Sequence, residues 1–228
     1  MLLRRKGITL AVLVAACSTG SSTAPTGDFT LATSAPAAAT LGTTDSFQVT
    51  LHSTGGYAGQ VLLTFPAGVP SDWIVDLSQN PVTLTAGGTA SSTVRLTIPT
   101  NGTPAPAGDT VTVHASGVNA SHSTTVAVTV ANELVVPIVL GADSARYFGA
   151  FTTGTVHVNV GTTISVLNND TASHIAHYNL TSLGLAHQNV SGGSTQGQKY
   201  SQVVTATGSD VLSSHGLVTK DSVHLASP

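Results

Sequence analysis

Short runs in which apolar and polar residues alternate are the dominant pattern along this chain. Phe47, Val49 and Leu51 form one such run, and residues 126–130 form another. A period of two residues is typical of β-strands that bury one face. Eight runs of this kind occur between residues 28 and 132, separated by turns that contain Gly, Pro or Asn, and this spacing predicts a β-sandwich.

The second half of the chain continues the pattern around a cluster of polar residues. Residues 156–160 and 163–167 are two strand-like runs that we expect to pair with each other. Residues 168–170 read Asn-Asn-Asp and predict a turn, and His174 follows it directly. Residues 191–194 read Ser-Gly-Gly-Ser and are expected to be the most flexible part of a long loop.

Composition supports an all-β fold and sets its size. Of the 228 residues, 41% are hydrophobic, 4% aromatic and 7% charged, and strand and turn formers predominate. This length is enough for two small domains with separate cores. We expect the domains to span residues 28–132 and 133–228, with so short a connection that freedom between them is limited. The chain has no basic patch beyond its first six residues, so nucleic acid is not a predicted partner.

The first predicted domain resembles the immunoglobulin-like modules of bacterial surface proteins. The matching features are residues 81–88 (PVTLTAGG), residues 94–98 (VRLTI) and an Ala-Gly turn that opens residues 110–113 (TVTV). The resemblance implies an Ig-like β-sandwich in which Trp73 is a buried aromatic residue between the sheets. It implies little about function beyond a spacer or a contact surface.

The second predicted domain resembles the cupredoxin family, a Greek-key β-barrel or sandwich. In that family a strand ending in Asn-x-Asp leads to the first copper histidine, and residues 168–174 (NNDTASH) fit this pattern. His215 matches the second copper histidine. The family's copper cysteine corresponds here to Leu212, and its methionine position falls near Lys220. A type 1 copper centre needs a thiolate, which leucine cannot supply, so the resemblance implies a degenerate site.

Histidines remain that can bind a divalent metal without the cysteine. His174 and His215 would lie at the same end of the barrel, with His187 the most plausible third ligand. His177 comes three positions after His174, so a regular strand would point it to the opposite face. Imidazole suits Cu(II), Zn(II) and Ni(II). Two other interpretations stand beside this one: the histidines are structural, with His174 orienting the 168–170 turn, or they form a pH-sensitive interface.

The first residues have the pattern of a targeting signal. Arg4, Arg5 and Lys6 precede a short apolar run that ends in Ala-Ala-Cys17. Residues 1–16 therefore predict a lipoprotein signal peptide, and residues 17–27 a flexible tether with a lipidated Cys17 that reaches the membrane. An ordinary cleaved signal with a chance cysteine is the alternative. By resemblance to Gram-negative lipoproteins, a serine at position 18 favours the outer membrane.

These observations predict a non-enzymatic lipoprotein of the bacterial envelope that acts as a binding or structural module. Its partners would be the membrane, through Cys17, and a protein at the cell surface. No certain cofactor is predicted. The alternative function is copper or other divalent-metal binding through a histidine-only site, without type 1 electron transfer. Nothing in the sequence makes a case for a hydrolytic triad with an oxyanion hole, so no enzymatic activity is predicted.

Overall fold

In a computed structural model the regular secondary structure of the described residues is almost entirely β-strand. The structure describes residues 27–142, 147–152, 154–179, 182–188, 193–214 and 222–228. The predicted signal peptide, Cys17 and His215 lie outside these described residues. The described part of the chain contains no helix that is long and apolar enough to cross a membrane.

Nine strands occupy the chain from residue 28 to residue 138. They are β1 (Asp28–Thr33), β2 (Ala39–Leu41), β3 (Thr44–Thr54), β4 (Gly59–Ala67), β5 (Ile74–Leu77), β6 (Val82–Leu84), β7 (Thr89–Thr97), β8 (Ala105–Ser116) and β9 (Ser121–Ile138). Eight of them correspond to the alternating runs in the sequence. The sequence pattern missed β2, which is only three residues long and pairs in parallel with β9.

Six further strands and one short 3-10 helix, Gly149–Thr152, form the rest of the described chain. The strands are β10 (Thr155–His157), β11 (Thr163–Asn168), β12 (Ala176–Tyr178), β13 (Lys199–Val203), β14 (Gly208–Ser214) and β15 (Val223–Ser227). Three sheets result. Their strand orders are β1-β3-β7-β5, β13-β11-β9-β8-β4-β6 and β10-β15-β14-β12.

Two hydrophobic cores are buried between these sheets. The first contains residues from Phe29 to Val130, including Trp73, which is only 5% exposed and whose indole N–H donates to the Thr103 carbonyl at 3.0 Å. The second contains residues from Leu134 to Leu225. Each core takes side chains from two sheets, so the predicted all-β sandwich fold is confirmed.

Strand β9 runs through the point where the two cores meet. Its 18 residues pair with β8 along the first core and with β11 along the second, so Asn132, the predicted domain boundary, lies inside a strand. Side chains add contacts between the two halves. Thr100 Oγ1 donates to the carbonyl of His157 at 2.7 Å, and Asn159 Nδ2 donates to the carbonyl of Asn101 at 2.8 Å.

The expected pairing of residues 156–160 with 163–167 is wrong. β10 pairs in parallel with β15, whereas β11 lies in a different sheet between β9 and β13. The chain crosses from one sheet to the other between them, at Gly161, whose φ of +92° favours glycine. The alternation also ends early, because Val158 is fully buried but Val160 is 51% exposed.

Candidate functional site

His174 is held by a carboxylate at the end of strand β11. Its Nε2 atom lies 2.8 Å from Oδ2 of Asp170, and both side chains are largely buried, at 12% and 7% exposed. The backbone of His174 forms an isolated β-bridge with Ser194, in which each N–H donates to the other's carbonyl. The imidazole is therefore fixed in position from both its side chain and its backbone.

Asn168 builds the turn that brings Asp170 and His174 together. Its side chain is fully buried, and its Oδ1 accepts the N–H of Asp170 at 2.8 Å. Its Nδ2 donates to the carbonyls of Ala172, at 2.8 Å, and Ser194, at 2.6 Å. An Asn side chain that bonds the backbone two residues on is an Asx turn, which is the turn that residues 168–170 predict.

Asp170 has an environment that stabilises its charged form. Besides the His174 imidazole, its Oδ1 accepts N–H groups from Gly141 at 2.9 Å and from Thr171 at 2.8 Å. The hydrogen bond from His174, followed by the one from Gly141, holds the pKa of Asp170 below its ordinary value. The sequence contained a signal for this partnership, since an acid in a predicted turn stands four residues before the histidine.

The loop at residues 193–194 approaches His174 so closely that it requires glycine. Gly193 has a φ of +72°, and a Cβ at that position would collide with the carbonyl of His174. Ser194 is only 4% exposed, and its Oγ donates to the same carbonyl at 3.0 Å. The expectation that residues 191–194 are the most flexible segment is therefore wrong for Gly193 and Ser194, while residues 191 and 192 lie outside the described residues.

A buried tyrosine completes this end of the second core. The ring of Tyr147 meets His174 edge to face, with the centroids 5.0 Å apart. Tyr147 is fully buried, and burial raises its pKa. Ser214 is the last residue of β14 and directly precedes His215 in sequence. No pattern in the sequence predicted this contact between Tyr147 and His174.

His177 and His187 form a second histidine cluster. Their rings meet edge to face, with centroids 4.8 Å apart and an interplanar angle of 79°. His177 occupies the outward position of β12, between the buried side chains of Ala176 and Tyr178, so it points to the opposite face of the strand from these two neighbours. His187 lies in the loop that follows β12.

The structure thus divides the predicted ligands into two groups. His174 pairs with Asp170, and His177 pairs with His187, while the place of His215 is not described. Leu212, at the position of the family's cysteine, is fully buried opposite Tyr178. His157 and His224 are exposed. Within the described ranges, no group of three or more His, Cys, Asp or Glu side chains is arranged to hold a metal ion.

Comparison with known proteins adds only a general likeness of fold. No family model matches the chain, and no curated protein matches it either. Among solved structures, domains 4 and 5 of the S-layer protein SbsC are 20% identical, with a TM-score of 0.30 over 44% of this chain and 50% of that one. A Cu-containing nitrite reductase (NirK) from Thermus scotoductus SA-01 is 13% identical, with a TM-score of 0.26 over 83% of this chain and 59% of that one. A protein of unknown function from Porphyromonas gingivalis W83 is 11% identical, with a TM-score of 0.32 over 86% and 98%.

This chain spans half the length of the SbsC structure and under two thirds of the length of the nitrite reductase. At these identities the likeness concerns the fold alone. The sheets and cores described above define the chain as an all-β sandwich protein.

Proposed function

We propose that this protein is a non-enzymatic lipoprotein of the bacterial envelope, in which an Ig-like half and a degenerate cupredoxin-like half act together as a structural or binding module. The observation that carries this proposal is the course of β9, which belongs to both cores. A module that presents a surface at a distance from a membrane needs its parts to keep a constant arrangement. A shared strand supplies that arrangement without a flexible linker.

Hydrogen bonds from polar side chains reinforce the shared strand. Asn132, in the middle of β9, donates from Nδ2 to the carbonyl of Gly161 at 3.0 Å, and its Oδ1 accepts the hydroxyl of Thr162 at 3.3 Å. Leu41, in the first core, is the register partner of Leu134, in the second. These contacts, with those of Thr100 and Asn159, support an arrangement in which the two halves act as one unit.

The membrane attachment in this proposal rests on Cys17 and on where the fold begins. Strand β1 starts at Asp28, directly after the predicted tether. Asp28 Oδ1 lies 2.7 Å from Nε2 of His122 and accepts the N–H of Phe29 at 2.7 Å, so the first residue of the fold is tied to β9. A lipid on Cys17 would therefore connect to the folded part through residues 18–27 of the predicted tether.

Fractionation of a Gram-negative host that expresses the full-length chain tests the anchor. The wild-type protein should be found in the membrane fraction and should incorporate a clickable fatty acid, whereas Cys17→Ser should do neither. Ser18→Ala is the matched control and should behave as wild type, while Ser18→Asp should move the protein to the inner membrane. An unlabelled wild-type protein in the soluble fraction would contradict the proposal.

A second candidate function, Cu(II) binding centred on His174 and His215, is favoured by the contact between His174 and Asp170. Because Asp170 accepts a hydrogen bond from Nε2, the lone pair of the imidazole is left on Nδ1, the nitrogen that can bind a metal. A carboxylate in this position also orients the ring. Calorimetric Cu(II) titration tests the site: tight binding with a nitrogen-ligand type 2 resonance spectrum should be lost in both His174→Ala and His215→Ala. Binding that both substitutions leave unchanged would exclude it.

A further inference from the structure

The loop that carries His187 is anchored on both sides of that histidine, to β12 on one side and to β13 on the other. On one side, Gln188 donates its N–H to the carbonyl of Ala176 at 3.2 Å, and its Oε1 accepts the N–H of Ala176 at 2.8 Å. On the other side, the hydroxyl of Tyr200 donates to the carbonyl of Ala186 at 2.8 Å. His187 therefore stands between two anchored residues.

Burial of the neighbouring side chains strengthens these anchors. Gln188 is 4% exposed and Leu185 is 1% exposed, so both are packed into the protein. His177 is adjacent to Ala176, and Gln188, which follows His187, is hydrogen-bonded to the backbone of Ala176. These hydrogen bonds therefore bring the two imidazoles together. Both histidines are half-buried, and Nδ1 of His177 is itself buried, so the proposed ion would be bound by Nε2 of that ring. The proximity of the two histidines is thus prepared by the fold.

The separation of the rings fits two imidazoles bound to a single metal ion. A metal–nitrogen distance of about 2.0–2.1 Å puts each ring centroid about 3.2 Å from the metal. Centroids 4.8 Å apart then subtend about 97° at the ion, which lies between the angles of about 90° in square-planar and about 109° in tetrahedral coordination. The geometry points to a two-histidine site for a divalent transition metal at His177 and His187.

Copper(II), nickel(II) and zinc(II) are the ions of this chemical class, because all three favour imidazole nitrogen. Water would complete the coordination shell, since the two rings leave the other positions open. The site lies on the outward face of β12 and is separate from the His174–Asp170 pair. The site depends neither on the lipid anchor nor on the copper site centred on His174. An experiment can therefore contradict any one of these three proposals without contradicting the other two.

Copper titration of the full-length chain tests the site. The protein is purified in detergent without an affinity tag and with Cys17→Ser, so that no thiol competes for copper. We expect one Cu(II) bound at this site with a spectrum of two nitrogen ligands, in addition to any Cu(II) bound at the site centred on His174. His177→Gln and His187→Gln should each weaken binding at least about tenfold, because even residues that only support a ligand change metal affinity by about 10- to 100-fold. His52→Gln, whose ring bonds to Thr89 in the first half of the chain, is the matched control and should leave binding unchanged.

Two more measurements keep the result clear if a variant folds poorly. In proton nuclear magnetic resonance spectra of the wild-type protein, substoichiometric Cu(II) should broaden the ring signals of two histidines before those of the others. Tyr200→Phe, which removes only the hydroxyl that anchors Ala186, should weaken binding less than loss of either ligand. The proposal is overturned if no copper binds, if the first signals to broaden belong to other histidines, or if His174→Gln abolishes binding while His177→Gln and His187→Gln do not.

Discussion

Replacing Asn168 by alanine should destabilise the protein far more than an Asn-to-Ala change normally does. Three hydrogen bonds are lost, and each has a different cost. The carbonyl of Ser194 keeps a partner, the N–H of His174 at 3.1 Å, so about 1 kcal/mol is lost there. Ala172 is exposed, so water replaces its lost bond at a cost of about 0.5 kcal/mol. The N–H of Asp170 is buried and loses its acceptor, which costs about 1–3 kcal/mol.

The expected loss is therefore about 3 kcal/mol of the free energy of unfolding, a large part of the stability of a typical domain. Urea unfolding followed by circular dichroism measures it. The fluorescence of Trp73, the only tryptophan, reports the first core separately. Asn169→Ala is the matched control, because Asn169 is the next residue and is exposed, and its substitution should cost no more than about 0.5 kcal/mol. Equal costs for the two substitutions would refute the assignment of Asn168 as the residue that builds the turn.

Three other changes test separate features. Tyr178→Phe should leave the stability of the protein unchanged or raise it by up to about 1 kcal/mol, because the buried hydroxyl has no hydrogen-bond partner among the described residues. Thermal unfolding measures the difference, and a clear loss of stability would contradict this reasoning. Because the pKa of Asp170 is lowered in the folded protein, its contribution to stability should be complete above about pH 5 and lost as the pH falls below the ordinary value of 3.8. Asp170→Asn should therefore flatten this part of the pH profile of urea unfolding. A profile that the substitution leaves unchanged would contradict a stabilising role for the Asp170 carboxylate. The double variant Thr100→Ala, Asn159→Ala should lose about 1 kcal/mol of the free energy of unfolding and should show faster amide hydrogen exchange in β10. An unchanged exchange rate would show that these two hydrogen bonds do not hold the halves together.

Local patterns in the sequence predicted the features that depend on neighbouring residues. Alternation predicted most strands of the first half, because a strand that buries one face must repeat every two residues. The Asx turn at residues 168–170 was also readable, since Asn168 bonds to a backbone group only two residues away. The parity of positions along a strand was the basis for expecting His177 on the opposite face from His174.

Features that depend on distant residues could not be read in this way. The partner of β10 is β15, about 70 residues further along the chain, and no local signal distinguishes it from the adjacent β11. The contact between His177 and His187 depends on Gln188 and Tyr200, whose hydrogen bonds go to backbone atoms and carry no sequence motif. Grouping the histidines by resemblance therefore put His174, His177 and His187 in one site, whereas their contacts divide them.

The course of β9 has a mechanical consequence. A pull along this strand that draws the two halves apart loads its antiparallel pairing with β8 and its parallel pairing with β11 in shear. In shear the hydrogen bonds of a ladder bear the load together, whereas in peeling they break one after another. A chain that joins its halves through a strand shared by both sheets therefore resists extension at its centre, where a linker would simply straighten.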